Sequence, residues 1–328
     1  MILICYGTRP EYLKIKPLIE KMRGVVPFKT LFTGQHLDLV KEESDYSIEI
    51  VDERNRLDSI VSSMMNSFDF KKEGIEYVLV QGDTATAYAM ALSAFHHGIP
   101  VIHLEAGMRT YDMSNPYPEE FYRQNISKIA TIHLAPTEHE KSFLINEKCQ
   151  GDIFVVGNTS LDNLVEKETS YGDMVLITLH RRENHYMISN YFSILSELAI
   201  ENSELLFFIP LHPNPNIRKH KDLLRNITIS EPLSHDLMVN AISKCRLIIS
   251  DSGGIQEEAS FLKKKVIVCR KRTERVASLG SSSILCPSPS KLKEIFNSIK
   301  EDYIVTDSCP YGDGHSSDKI VEILKCVV

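Results

Sequence analysis

The sequence carries no paired cysteines. Its seven, an odd number, lie scattered at Cys5, Cys149, Cys245, Cys269, Cys286, Cys309 and Cys326, with no C-x-x-C and no zinc-like spacing. They read as reduced thiols in a reducing compartment, not as a disulfide framework. Cys5 and Cys269 fall inside apolar runs, where a small buried hydrophobe is expected. No metal site is expected either, because His96-His97 and His133 lack a partner at ligand spacing. Positive charge is not in excess: 37 Lys+Arg stand against 44 Asp+Glu, a formal net charge of −7. The basic residues are spread along the chain, which argues against nucleic acid as a partner and means that an anionic ligand must be met by a local site. No apolar stretch approaches the roughly 20 residues of a bilayer span, and the strongest, Leu205 to Leu211, is interrupted by Pro210. No membrane partner is therefore expected, and the location is expected to be cytoplasmic. Met1 to Tyr6 has no basic segment before it and passes straight into a turn, so it is read as a first strand, not as a signal peptide. No G-x-G-x-x-G follows the first strand of either half and no G-x-x-x-x-G-K-[ST] occurs, which leaves a dinucleotide fingerprint or P-loop without support.

What is present is alternation. The 328 residues exceed the typical ~100–200 of one domain, so two domains are expected. Hydrophobic residues at 43% and charged residues at 25% are ordinary for a globular chain. Short apolar runs alternate with segments of helical periodicity, the pattern of a parallel sheet covered by helices. Met1 to Tyr6 ends in Gly7-Thr8-Arg9-Pro10, after which Tyr12, Leu13, Ile15, Leu18, Ile19 and Met22 mark one helical stripe. Tyr77 to Val80, Val101 to Leu104, Ile132 to Ala135 and Ile153 to Val156 are further expected strands. After the polar stretch Glu166 to Asp173 the alternation restarts with Met174 to Thr178, Leu205 to Ile209, Leu247 to Ser250 and Val266 to Cys269. The expected division is 1–168 and 169–311.

In open α/β sheets, ligands bind outside the carboxyl ends of the strands. Arg9, Asp83, Glu105, His180, His212 and Ser252 each stand within a few residues of such an end, and six placements of this kind together point to a site. Asp251-Ser252-Gly253-Gly254 follows one strand and opens a helix at Ile255, so its backbone N–H groups and the serine hydroxyl can cradle a diphosphate. Glu257 and Glu258 on that helix would repel a phosphate unless one turns to neutral donors such as ribose hydroxyls. Arg9, Arg181 with Arg182, and the run Arg270 to Arg275 are the cationic elements that could complete it.

The residues then carry a resemblance. GTRPEYLKIKPL from Gly7, TGQH from Thr33, QGDTAT from Gln81, HLEAGMRT from His103, PEEFYRQ from Pro118, GNTSLD from Gly157, LHRREN from Leu179, HPNP from His212, DSGGIQEEA from Asp251, TER from Thr273 and PYGDGHSSDKI from Pro310 resemble, in the same order, the strings of the non-hydrolysing UDP-N-acetylglucosamine 2-epimerases. The resemblance implies an α/β fold of two Rossmann-like domains facing a central cleft (GT-B type), parallel sheets covered by helices, with a C-terminal helix at about 312–328 packing back onto the first domain. It also implies a homodimer and a UDP-N-acetylhexosamine substrate. Residue by residue, it implies acid and base roles for Asp83, Glu105 and Glu119. His180 would assist at the diphosphate, while Arg9, Lys14 and Arg123 would neutralise and order the site. Arg181, His212, Ser252, Gly253, Gly254, Glu258 and Arg275 would hold UDP. Gln35 and His36 match the segment near which members bind a second, activating UDP-sugar.

The chemistry is consistent with that resemblance. The C2 hydrogen is not acidified by a carbonyl, so removing it directly would leave a costly carbanion. Breaking the C1–O bond to UDP develops oxocarbenium character, which acidifies C2–H; elimination gives 2-acetamidoglucal and UDP, and re-addition from the other face inverts C2. No cofactor is required. Two departures stand out: Val276-Ala277 follows the TER string where the family usually has Pro-Glu, and the segment after TGQH, Leu37-Asp38-Leu39, is short. The alternatives are a hydrolysing relative that releases N-acetylmannosamine, in which a Gly-Gly-Glu pattern would replace the Glu105 string, and a GT-B glycosyltransferase acting on a UDP-sugar.

Overall fold

β1 (Ile2–Tyr6) is buried along its whole length, as the central strand of a parallel sheet covered on both faces must be. Side chains alternate between faces. Ile2, Ile4 and Tyr6 therefore join one core and Leu3 and Cys5 another. In the computed structural model, which describes residues 1–35, 44–51, 55–65 and 67–327, the chain divides into two compact units, Met1–Asn163 with Gly312–Val328, and Leu164–Tyr311.

In the first unit β1 leads into α1 (Arg9–Met22), which starts with a capping box: the Thr8 hydroxyl accepts from the Glu11 backbone and the Glu11 carboxylate takes the Thr8 N–H. Then follow β2 (Phe28–Phe32), β3 (Tyr46–Ser47), α2 (Arg56–Met65), β4 (Tyr77–Gln81), α3 (Ala85–His96), β5 (Val101–Leu104), α4 (Glu119–Ile129), β6 (Ile132–Ala135), α5 (Glu138–Asn146) and β7 (Asp152–Val155). The small residues of α3, Ala85, Ala87, Ala89, Ala91 and Ala94, are all buried and let that helix lie close to the sheet. The strand order is β3-β2-β1-β4-β5-β6-β7, all parallel. The order reverses between β1 and β4, and a reversal of this kind opens a crevice at the carboxyl ends of the strands.

The second unit repeats the plan with β8 (Met174–Thr178), α6 (Ile188–Glu201), β9 (Leu206–Pro210), α7 (Pro215–Arg218), β10 (Thr228–Ser230), α8 (His235–Lys244), β11 (Leu247–Ser250), α9 (Gly253–Phe261), β12 (Lys265–Val268), β13 (Ser283–Leu285) and α10 (Pro289–Ile299). Its order is β10-β9-β8-β11-β12-β13, again parallel, with the reversal between β8 and β11. One cluster around Ile177, Phe192, Leu195, Phe207, Ile249 and Phe296 forms its core. The chain finally returns to the first unit as α11 (Ser316–Val327), whose Ile320, Val321 and Leu324 pack into the core on the Ile2–Ile4–Tyr6 face of β1. The α/β expectation with two parallel sheets flanked by helices holds. The last expected strand is displaced by one residue: β12 begins at Lys265, whose ammonium bonds Asp302 at 2.7 Å, and Cys269 lies just past its end. No helix among the described residues is long and apolar enough to cross a membrane.

Candidate active site

The reversal in the first sheet brings the turn after β1 beside the turn after β4. Glu11, buried in α1, accepts from the N–H groups of Gly7 (3.0 Å) and Thr8 (2.7 Å) and from the Thr84 hydroxyl (2.6 Å), and Thr84 itself caps α3. Burial pushes the Glu11 carboxyl above the ordinary carboxylate range. One carboxyl thus ties the two turns together, and Asp83 lies in the second of them. Arg123 from α4, itself buried, donates from Nε to Asp83 at 2.8 Å and also from its terminal nitrogen. The same guanidinium reaches Glu120 at 3.3 Å. Glu120 is fully buried and accepts from the Thr110 and Tyr111 backbone and from Gln124, which makes it a structural anchor. Glu119, its neighbour, opens α4 one turn before Arg123, a spacing that puts both on one helix face.

Glu105 follows β5 with φ +66°, a left-handed conformation that costs a non-glycine residue roughly 1–3 kcal/mol and marks a position held by its surroundings. Its Oε2 receives the Lys14 ammonium at 2.5 Å and the Gln81 amide. That oxygen lies 3.7 Å from where a Cβ on Gly82 would stand, so Glu105 borders the turn that carries Asp83. Lys14, Gln81, Glu105, Pro136, Gly157, Asn158 and Thr159 line a small crevice there, and the Thr159 hydroxyl donates to the Lys14 carbonyl at 2.5 Å. The structure therefore brings Asp83, Glu105, Lys14 and Arg123 together. Arg9 opens α1 and is exposed. Gln35 accepts from the Thr86 hydroxyl at 2.7 Å and so is bound to the first turn of α3; His36 lies outside the described residues.

In the second unit the reversal sets the turn after β8 against the turn after β11, and Asp251 joins them. This fully buried carboxylate accepts from the backbone of His180 (3.0 and 3.1 Å) and Arg181 (2.9 Å) and from the Asn184 amide (2.9 Å). His180 Nδ1 stands 3.6 Å from it. The His180 ring stacks on His212 at 5.4 Å. Burial, with His180 alongside, lowers the pKa of His212, favouring the neutral ring.

Ser252 caps α9, whose first residues are Gly253 and Gly254. Nothing lies within 4 Å of a Cβ on Gly254, whereas a Cβ on Gly253 would meet Arg275 Nη1 at 2.3 Å. The Arg275 guanidinium thus lies against the glycine backbone, donating to Glu257 at 2.7 Å and also to Glu274. Glu274 also bonds Arg270 at 2.7 Å and stands 3.9 Å from Arg181. Glu258 meets His235 Nε2 at 3.1 Å. Of the two helix carboxylates that would oppose a phosphate, Glu257 is paired with the Arg275 guanidinium and Glu258 is turned to His235. Asp251 and His235 are the residues that sequence reasoning missed as participants. The first sits inside the quoted DSGG string; the second carries no signal in the local pattern.

Two doubly wound parallel sheets, each with its polar residues on the carboxyl-end loops where strand order reverses, define an α/β enzyme of the GT-B-like fold. A structure of MurG from Acinetobacter baumannii, 13% identical with a TM-score of 0.63 and 99% of each chain covered, shares that fold. Residues 22–325 match the family model described as UDP-N-acetylglucosamine 2-epimerase. A UDP-N-acetylglucosamine 2-epimerase from Neisseria meningitidis is 36% identical, over 98% of this chain and 98% of its own length. The crystal structure of UDP-GlcNAc 2-epimerase from Neisseria meningitidis bound to UDP-GlcNAc is 34% identical with a TM-score of 0.86, covering 98% of this chain and 99% of that one. The chain belongs to the UDP-N-acetylglucosamine 2-epimerase family, a family of isomerases.

Proposed function

We propose that the protein is a non-hydrolysing epimerase that interconverts UDP-N-acetylglucosamine and UDP-N-acetylmannosamine by elimination and re-addition of UDP. The observation that carries this reading is a pair of carboxylates on adjoining turns, each with its own cation: Glu105 with Lys14 and Asp83 with Arg123. Inversion needs a proton removed from C2 on one face and another delivered on the opposite face, so it requires more than one acid–base group. In this reading Asp83, Glu105 and Glu119 carry those protons. The C1–O and C2–H bonds break to give 2-acetamidoglucal and UDP; the reverse addition forms both bonds again with C2 inverted. No net oxidation occurs, so no nicotinamide is called for.

The second unit binds UDP. The N-terminus of α9 offers the Ser252 hydroxyl and the N–H groups of Gly253 and Gly254 to the diphosphate, His180, His212, Arg181 and Arg275 line its approach, and Glu258 takes ribose hydroxyls. The HLEAGMRT string around Glu105 favours this over the hydrolysing reading. A cytoplasmic homodimer is part of the same proposal, resting on the resemblance; light scattering tests the dimer. The deciding experiment is incubation with UDP-N-acetylglucosamine in D2O without added NAD, followed by NMR. UDP-N-acetylmannosamine carrying deuterium at C2 is the expected product. Free N-acetylmannosamine as the main early product would assign the protein to the hydrolysing class.

A further inference from the structure

One buried titratable group stands behind the proposed acid–base cluster without belonging to it. His103 is the polar residue of β5, whose four residues VIHL are all buried. Its Nε2 lies 2.8 Å from the Gly82 carbonyl oxygen. A carbonyl can only accept, so Nε2 carries the proton and Nδ1 the lone pair; Nδ1 has no hydrogen-bond partner among the described residues. Burial pushes the His103 pKa down to about 3, so the ring donates as a neutral group and adds no charge beside Asp83.

The place of that bond gives it meaning. The Gly82 N–H donates to the Leu104 carbonyl at 2.9 Å, continuing the β4–β5 ladder one step past the end of β4. Gly82 then turns left-handed at φ +69°, which carries Asp83 out of the sheet toward Arg123 and takes the Gly82 carbonyl out of the ladder. A partly buried carbonyl in that position needs a donor, and the imidazole reaches across from the neighbouring strand to supply it. We infer that His103 is a positioning residue that, through the Gly82 carbonyl, fixes the turn on which Asp83 stands and so sets the aim of that carboxylate. The inference rests on the acid–base reading of Asp83 and extends it by one residue.

The test is a set of variants assayed for epimerisation of UDP-N-acetylglucosamine by NMR, with UDP affinity measured alongside. His103→Leu removes the donor and should lower kcat by about 10–100-fold, the scale of a small misplacement of a catalytic group, with UDP affinity within about twofold. Glutamine places its amide nitrogen near the imidazole Nε2 position, so His103→Gln should recover most of kcat. Asparagine places its own nearer Nδ1, short of the carbonyl, so His103→Asn should stay slow. In an Asp83→Asn background His103→Leu should cost less than about threefold more, because groups acting through one another are not additive. A wild-type kcat in His103→Leu, equal rates for the Gln and Asn variants, or full additivity with Asp83→Asn each overturns the inference. Should His103→Leu fail to fold, the Gln and Asn pair and their combinations with Asp83→Asn decide it. A wild-type rate in Asp83→Asn itself is a separate outcome: it removes the acid–base reading of Asp83 and this inference together.

Discussion

The two units use the same sheet plan and the same reversal of strand order, yet handle charge in opposite ways. In the first, two carboxylates stand at the carboxyl ends of β4 and β5 and each is held by a cation, Arg123 or Lys14. In the second, the cations are the guests: Arg270 and Arg275 are buried against Glu183, Glu257 and Glu274, and the ends of β8 and β11 are joined by one carboxylate that accepts backbone N–H groups. The first unit presents carboxylate side chains at its strand ends. The second presents backbone donors at a helix terminus, beside the His180 and His212 rings. On the proposed reading, one fold serves chemistry or binding according to whether its carboxyl-end loops present carboxylates or peptide N–H groups.

The contrast breaks most sharply if carboxylates of the first unit matter for nucleotide binding. Asp83→Asn, Glu105→Gln and Glu119→Gln are each expected to slow turnover by about 10²–10⁴-fold while leaving UDP affinity within about threefold. Loss of affinity in proportion to turnover, measured by calorimetry, would assign these residues to structure. A mutant that eliminates but cannot reprotonate should release 2-acetamidoglucal and UDP, visible in the same NMR assay.

The second unit offers a matched pair of glycines. A methyl group at Gly253 meets the Arg275 guanidinium at 2.3 Å, whereas one at Gly254 meets nothing within 4 Å. Gly253→Ala is expected to displace Arg275, destabilise the fold by about 1–3 kcal/mol and weaken UDP binding. Gly254→Ala is expected to leave melting unchanged or raise stability by up to about 1 kcal/mol through the unfolded chain. Equal effects of the two on melting temperature would show that the Arg275 contact is not what requires the first glycine.

A smaller effect separates the units by pH. The His103 pKa is pushed down to about 3 in the fold from an ordinary ~6.5, so the unfolded chain takes up that proton first. The stability it contributes is therefore complete above about 6.5 and is lost as pH falls from there toward 3, with a slope of at most about 1.4 kcal/mol per pH unit. His103→Gln should flatten the loss between pH 6.5 and 5.5 by roughly 1 kcal/mol, whatever its stability at neutral pH. Parallel pH profiles for wild type and variant, from melting curves, would contradict the assigned state of this ring.

Much of this arrangement is legible in the chain. Runs such as Ile2–Tyr6 and Leu247–Ser250 are apolar at every position or nearly so because both faces of a central parallel strand are covered. Thr8, Pro10 and Glu11 announce the start of α1, and Asp251 to Gly254 announce α9. β2, β3, β10 and β13 escape: β3, β10 and β13 have only two or three residues, too few to show a period, and β2, Phe28–Phe32, has its apolar run broken by Lys29 and Thr30. Local pattern also cannot decide which of two adjacent glutamates turns inward. Glu120 is fully buried and Glu119 only partly, a choice made by the Thr110 and Tyr111 N–H groups arriving from the loop before the helix, with Arg123 one turn on. The run from Arg270 to Arg275 is likewise split by tertiary partners: Arg270 and Arg275 are buried, Lys271 and Arg272 exposed.

The return of the chain as α11 has a consequence for how the protein is made. The first unit is written at both ends of the sequence, Met1–Asn163 and Gly312–Val328, while the second is continuous. Ile320, Val321 and Leu324 complete the hydrophobic cluster around Ile2, Ile4 and Tyr6, so that cluster stays open until α11 has left the ribosome. Domains generally fold as units during synthesis, and here the unit encoded second is the one whose full complement of residues emerges first. The amino-terminal half must wait, with one face of its sheet lacking a helix, for a segment translated after the whole of its neighbour.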